Sequence, residues 1–525
     1  MDIKNEGRIL KSIGTVGLAT SASRIFGYFR DAVLALVLGA GLSMDAFTIA
    51  FRLANLFRRL VAEGAMSTAF VPVFVAYRNE HTNEELWDFA RKFFYTLAAG
   101  TAAIVLLEVV FAPWVVHIMA PGFLESEEKW QLTVLLTRLM APYLVLVALA
   151  ALLGGVLNSL GHFWMPALSP VFFNVSIIVS AFLLARVSQE PAVGIAVGVL
   201  VGGGFQLVTQ IPAVVRKGMS FKFGWSLSHP QIRKVGALLA LTVFGVGIVQ
   251  INLLVDSLMA SFLREGSVSH LYYADRIMEL VLGIFVISVV TVMLPEMSRS
   301  AAERDVPALK STLQFSLRNI AFVAIPATVG LFLLADPIIH VLFERGRFSD
   351  VDTERTAVAL AFYALGLCFI SGTKMMVSAF YALQDTKTPV KAAGISLVLN
   401  VILNWILMQP LKQGGIALAT SISSMVSFGY LVYWFQKKNG PIGMHEIRKS
   451  VVKILGASAV LGGSCLVLIR IFAFGTEMAF VWKAAALFGT IAGAVMAYVI
   501  ACVFFKVDEL RLLKGIWFRG AGRSC

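Results

Sequence analysis

The sequence runs to 525 residues, 58% of them hydrophobic and 14% charged, with a mean hydropathy of +0.81. A soluble chain of this length would build several domains behind charged surfaces, and this composition excludes that reading. The 44 Lys and Arg outnumber the 31 Asp and Glu for a net charge of +13, which in so apolar a chain reports basic cytoplasmic loops rather than nucleic-acid binding.

The stretch up to Ser12 is polar and basic, and the apolar run behind it is broken by Arg24, Arg30 and Asp31 without a small-residue cleavage site. It reads as a retained first span, not a signal peptide. A spanning helix needs about 20 mostly apolar residues. About fourteen such stretches follow in order, at 12–39, 45–76, 90–116, 131–158, 163–186, 192–215, 236–262, 270–298, 316–343, 355–382, 389–409, 414–436, 451–473 and 480–505. The fold class is therefore an all-α polytopic membrane protein. Gly202, Gly203 and Gly204 read as an interruption of the sixth span.

An even count puts both termini on one side of the membrane. The N-terminal arm, the connections around 77–92, 216–234, 299–318, 383–391 and 437–453, and the C-terminal tail hold roughly 27 Lys and Arg, against roughly 9 in the opposite connections. Both ends are expected in the cytoplasm. Cys368, Cys465, Cys502 and Cys525 are scattered without C-x-x-C spacing, so neither a disulfide framework nor a metal site is expected.

The chain also repeats itself. Arg52 and Arg276, Pro72 and Pro295, His117 and His340, Pro166 and Pro389, and Gly194 and Gly415 are separated by about 221 to 224 positions, too regular for chance pairs. Each copy holds about six spans, an even number, so the copies share one topology and relate by an axis along the membrane normal, as in transporters built from parallel repeats. The expected organisation is a first lobe over 1–220, a pseudo-symmetric second lobe over 221–440, and two further helices with a tail over 441–525.

Once loop charges are assigned, Arg24, Arg30, Arg52, Arg58, Arg59, Arg138, Arg276 and Lys374 remain inside predicted spans. Each costs a few kcal/mol at bilayer depth unless it faces protein or a water-filled cavity. Helical spacing aligns Arg52 with Arg59, and places Asn55 and Glu63 near the same stripe. A guanidinium keeps its charge and offers a fork of donors that matches phosphate oxygens, so the cargo inferred is a phosphate or pyrophosphate. The competing reading is structural: these arginines pair with Asp31, Asp45 and Glu63, or snorkel to an interface.

Around this cluster the residues 23–31 (SRIFGYFRD), Gly39-Ala40-Gly41, Met44-Asp45-Ala46-Phe47 and 52–65 (RLANLFRRLVAEGA) resemble the opening of the MurJ (MviN) family of bacterial lipid II flippases. The segments 272–279 (YYADRIME) and 385–389 (DTKTP) extend the resemblance over nearly the whole chain. It implies the fold of the multidrug/oligosaccharidyl-lipid/polysaccharide exporter superfamily: two six-helix lobes in a V, plus two C-terminal helices forming a lipid-facing groove. It further implies that Arg24, Arg30, Arg58 and Arg276 hold the pyrophosphate, and that Asp45 corresponds to a required aspartate. Asp31, Asp45, Arg52, Asn55, Arg59 and Glu63 then support the cavity or its gate. Arg52 stands where relatives commonly carry lysine, which preserves the charge.

The expected cargo is lipid II, the undecaprenyl-pyrophosphate-linked disaccharide-pentapeptide, carried from the inner to the outer leaflet of the cytoplasmic membrane by a monomer, with membrane lipids and the cell-wall synthesis machinery as partners and no nucleic acid. Asp256, Asn400, Asn404 and Thr420 present hard oxygen ligands suited to sodium, and equally interhelical hydrogen bonds. No Walker A sequence is present to bind ATP, so no cofactor is expected, and the energy would come from a sodium or other ion gradient, the membrane potential, or product removal. Competing readings are a flippase for another polyprenyl-pyrophosphate glycan, a drug exporter of the same fold, a membrane-embedded enzyme acting on the same lipid, and a structural scaffold. The enzyme would need catalytic carboxylates or a histidine in aqueous loops, and no convincing set occurs. His117 and His340 read as packing residues near span ends.

Overall fold

The computed structural model describes residues 3–226, 228–472 and 479–510. In chain order the helices are α1 (Ile3–Leu38), α2 (Leu42–Phe57), a π-helical run Arg58–Phe70, α3 (Val71–Glu80), α4 (Asn83–Met119), a 3-10 turn Pro121–Glu125, α5 (Glu127–Met140), α6 (Tyr143–Ser159), α7 (Trp164–Leu183), α8 (Pro191–Val208), α9 (Ile211–Arg216) and α10 (Pro230–Ser261). Then come α11 (Ser267–Val281), a π-helical run Leu282–Val286, α12 (Ile287–Ala302), α13 (Val306–Leu333), α14 (Ala335–Phe343), α15 (Asp350–Ala382), α16 (Lys387–Leu411), α17 (Gln413–Asn439), α18 (Met444–Phe472) and α19 (Phe480–Phe504).

Among the described residues, 11 helical stretches are long and apolar enough to cross a membrane. Three stretches read as spans from the sequence, 12–39, 45–76 and 236–262, are not among these 11, and they are helical as α1, as α2 with the π-helical run and α3, and as α10. Many apolar side chains point away from the protein: Leu106, Leu107, Val110 and Trp114 on α4, and Val398, Ile402, Trp405 and Ile406 on α16. In water such surfaces would aggregate, whereas acyl chains solvate them.

The chain forms two compact units, one of Met1–Ser269 with Arg345–Phe348, the other of His270–Glu344 with Ser349–Cys525. In the first, Phe70, Phe74, Phe89 and Phe93 pack with Leu152, Leu153, Val156 and Leu157, the Phe70 and Phe93 rings stacking at 5.0 Å between centroids. α10 groups with this unit, although the sequence repeat puts it in the second copy: Arg52 donates to the Ser257 hydroxyl, and the Gly122 amide donates to Ser261 Oγ at 3.1 Å. Arg347 joins it too, its amide donating to the Leu36 carbonyl at 3.1 Å. In the second unit, Tyr498 on α19 donates to the Phe322 carbonyl on α13 at 2.8 Å, and Arg318 on α13 bonds Glu509 at 2.5 Å.

Local chemistry sets the helix starts. Thr82 and Glu85 form a capping box that opens α4, and Ser349 and Asp352 form another that opens α15, each pair satisfying amides that a helix start leaves without partners.

The expected break at Gly202–Gly204 is absent, and α8 runs through it. These glycines serve packing instead: a Cβ on Gly203 would stand 2.7 Å from the Tyr143 ring, and one on Gly202 3.0 Å from the Phe173 ring. The repeat anchors Gly194 and Gly415 have a shared reason. A Cβ on Gly194 would meet the Ala185 nitrogen at 2.6 Å, and one on Gly415 the Leu407 carbonyl oxygen at 2.1 Å. In both units only hydrogen lets the incoming helix cross so close to the backbone it follows.

Candidate functional site

In the first unit, Arg30 and Asp31 form a buried pair. Arg30 Nη2 and Nε donate to Asp31 Oδ1 at 2.7 and 3.0 Å, and Nη1 donates to Asn174 Oδ1 at 3.1 Å. Asn174 on α7 is itself fixed, donating to the Ser23 carbonyl on α1 at 3.2 Å. The guanidinium also lies 5.5 Å from the centre of the Phe51 ring, so charge, fork geometry and an aromatic face all orient it. Arg24, six residues before it on α1, is exposed.

Asp45 holds a different position. It is fully buried, and its two oxygens accept from the Gly266 amide at 2.8 Å, the Ser269 amide at 2.9 Å, the Ser269 hydroxyl at 2.6 Å and the Lys129 ammonium at 2.6 Å. Its carboxylate therefore sits at the start of α11, where the peptide dipoles favour a negative charge. Lys129 in turn lies 4.1 Å from the Phe123 ring centre. The cation on Asp45 is thus a lysine of α5, not one of the arginines the structural alternative offered it.

The second span departs from simple helical spacing. The π-helical run begins at Arg58, so the α-helical period aligning Arg52 with Arg59 stops there. What the geometry brings together is Asn55 with Arg58, Arg58 Nε donating to Asn55 Oδ1 at 3.0 Å. Arg52 reaches Ser257, beside the buried Asp256 on α10. Arg59 is half-buried. The side chain of Glu63 lies outside the described residues. Arg58 also borders a cavity of ≈ 250 Å³ whose polar lining includes Asn158, Ser169, Gln206 and Gln210. It is the charged residue of that lining, among neutral amides and a hydroxyl.

In the second unit, Arg276 Nη1 donates to Glu279 at 2.7 Å, and its guanidinium lies 4.8 Å from the centre of the Tyr272 ring. A second π-helical run, Leu282–Val286, follows, starting one repeat length after Arg58. Both copies thus interrupt the span that carries these arginines. Asn404 donates to Asn400 Oδ1 at 3.0 Å, and Asn400 donates to Thr420 Oγ1 at 3.2 Å, a ladder joining α16 to α17. Asp256 belongs to the first unit and these three residues to the second. Among the described residues no three His, Cys, Asp or Glu side chains group as metal ligands.

Sequence reasoning missed several partners. Asn174, Lys129 and Ser257 sit in other helices, and their only sequence signal is polarity inside or beside an apolar run. Glu279 lies in the segment 272–279 that carries the resemblance, three residues after Arg276, the spacing of a helical ion pair. His340, read as packing, bonds Glu344 at 2.6 Å and Lys483 of α19 at 2.9 Å.

Comparison with known proteins follows the same lines. Residues 34–486 match the family described as lipid II flippase MurJ. A probable lipid II flippase MurJ of Vibrio cholerae is 37% identical over 469 residues, covering 87% of this chain and 89% of the relative. One from Rhizobium meliloti is 34% identical over 528 residues, covering 98% and 97%. A solved lipid II flippase MurJ in an inward closed conformation superposes with a TM-score of 0.75 at 28% identity, over 94% of this chain and 98% of that one. An inward-facing multidrug transporter of the MATE family, in the MOP superfamily, shares the fold at a TM-score of 0.69 and 14% identity, over 80% of this chain and 96% of that one.

Proposed function

Since this chain belongs to the lipid II flippase MurJ family, matching it over residues 34–486, we propose that it is a lipid II flippase, a multi-pass transporter of the bacterial inner membrane and not an enzyme. It carries the undecaprenyl-pyrophosphate-linked peptidoglycan precursor from the inner to the outer leaflet for cell-wall synthesis by alternating access. The observation that carries this reading is a set of arginines in apolar helices of both units, with Arg58 bordering a cavity that Asn158, Ser169, Gln206 and Gln210 also line in the first and Arg276 half-buried in the second. Arginine in a membrane span is costly, and its fork of donors suits an anionic cargo.

In this reading Arg24, Arg30, Arg58 and Arg276 bind the pyrophosphate. Asp31, Asn174, Asn55 and Glu279 hold the guanidinium planes so that less ordering is required when cargo arrives. Both termini are cytoplasmic, the protein acts as a monomer, and cell-wall synthesis enzymes receive its product. Energy comes from an ion gradient or the membrane potential, with Asp256, Asn400, Asn404 and Thr420 as candidate cation ligands.

The test is translocation of labelled lipid II by the purified chain in proteoliposomes, with and without a membrane potential and sodium, with recovered lipid inspected for chemical change. Translocation of intact lipid is expected. Chemical turnover would overturn the transporter reading in favour of an enzyme on the same lipid. Arg276→Ala is expected to lose rescue of flippase-depleted cells at normal protein level, and full rescue would remove Arg276 from the cargo site.

A further inference from the structure

Glu108 takes no part in the arginine and aspartate clusters of the first unit. It lies within α4, eleven residues before that helix ends, or about 16 Å along the axis, which in a hydrocarbon core about 30 Å thick is close to the midplane. Its neighbours Leu106, Leu107 and Val110 face outward, whereas Glu108 is only 8% exposed. Its Oε2 is buried and has no hydrogen-bond partner.

The helix facing it is α5. Ala112 and Val116 of α4 cluster with Val134, and Trp130 packs against them. Arg138 Nε donates to the Val109 carbonyl at 3.1 Å. These contacts fix an antiparallel register in which Val116 lies at the level of Trp130, and Glu108 at the level of Thr137 and Arg138. Two more buried polar atoms in the seam have no partner, Trp130 Nε1 and Thr137 Oγ1.

Charges on the other elements packed against α4 are accounted for. α6 has none. On α2 and α5, Asp45 and Lys129 satisfy each other, and Arg52 of α2 engages Ser257. Arg78 and Glu80 of α3, and Arg233 and Lys234 of α10, lie near the opposite end of α4. Asp256 of α10 is buried beside Ser257. Glu125 of the 3-10 turn, and Glu127 and Glu128 at the start of α5, are at the end of α4 beyond Met119. At the level of Glu108 the cation on the facing helix is Arg138.

We propose that Glu108 is a proton-binding site in the α4–α5 seam, and that its protonation is coupled to the packing of these two helices during transport. An unpaired carboxylate in such a seam is strongly disfavoured, while the neutral acid is tolerated. Hydronium gives its proton to the carboxylate, leaving water and the neutral acid. When the proton leaves, the carboxylate draws the guanidinium of Arg138, which must release the Val109 carbonyl that ties α5 to α4. Occupancy by a proton thus favours the closed seam and loss of the proton an altered one, which is what linkage of an ion to a two-state element requires.

This deepens the flippase reading by naming an ion, and rests on it only for the coupling to transport. Two measurements separate them. Infrared difference spectra of the full-length protein in detergent, recorded across a pH titration, should show a carboxylic acid C=O band that Glu108→Gln removes and Arg138→Gln moves to higher pH. Unchanged spectra in Glu108→Gln would overturn the site whether or not the protein moves lipid II. In proteoliposomes at fixed sodium and potential, lipid II translocation by the unaltered protein should vary with pH, and Glu108→Gln should translocate with that dependence lost. A Glu108→Gln profile that follows the unaltered protein's would overturn the coupling while leaving the flippase reading intact.

Discussion

Removing the ammonium from Asp45 gives the sharpest energetic test. Lys129 is 6% exposed and Asp45 fully buried, so Lys129→Met leaves a carboxylate out of water with three hydrogen bonds but no cation. Breaking a buried pair from one side costs about 3–5 kcal/mol, because the remaining charge is uncompensated. Asp45→Asn in the same background removes that charge. The amide oxygen keeps one or two of the donors at Gly266 and Ser269, and the residual loss should be about 1–3 kcal/mol, the cost of a donor left unsatisfied. The double variant is therefore expected to be more stable than Lys129→Met alone. The assay is a double-mutant cycle on unfolding of the purified protein in detergent, followed by tryptophan fluorescence or helical signal. Single-variant losses that add to within about 0.5 kcal/mol would refute the pair as a coupled unit, and with it the idea that Asp45 anchors α11 through a lysine on α5.

Other outcomes follow from the same geometry. Burial raises the Asp385 carboxyl, but hydrogen bonds from the Lys438 ammonium and from the Thr388 hydroxyl and amide outweigh it and hold the group down at about 2. A depressed value stabilises the fold above the ordinary carboxylate range near 3.9 and loses that contribution as pH falls toward 2. The melting difference between the natural chain and Asp385→Asn should thus be constant above about pH 5 and shrink below pH 4; a difference that grows on acidification would reverse the sign. Gly194→Ala and Gly415→Ala should each lower the melting temperature, by about 1–3 kcal/mol of strain, since the added carbon meets backbone rather than a side chain that can swing away; unchanged melting would refute that explanation of the repeat. Asn174→Leu should weaken lipid II binding by the purified protein while Arg30 remains in place, and unaltered affinity would show that Asn174 does not orient that guanidinium.

Much of this protein was legible in its residues. Hydropathy sets the helical class because lipid leaves the backbone no partners but its own, and a fixed offset exposes the duplication because both copies must solve the same packing problem. The arginines in apolar runs stand out for the same energetic reason. Their partners did not, since Arg30 meets Asn174 on a helix more than a hundred residues away, and Asp45 meets Lys129 across from another. Nor did the π-helical runs at Arg58 and Leu282, which carry no composition signal and change which side chains share a face. Glu108 is the plainest case. Its sequence shows one acid in the apolar part of α4 that follows Lys92, and only tertiary packing decides that it turns inward, at the level of Arg138 and without a partner, rather than reaching for water at the helix end. The sequence determined what the chain dissolves in and what charges it hides; the fold decided which of those charges are paired and which are poised to change.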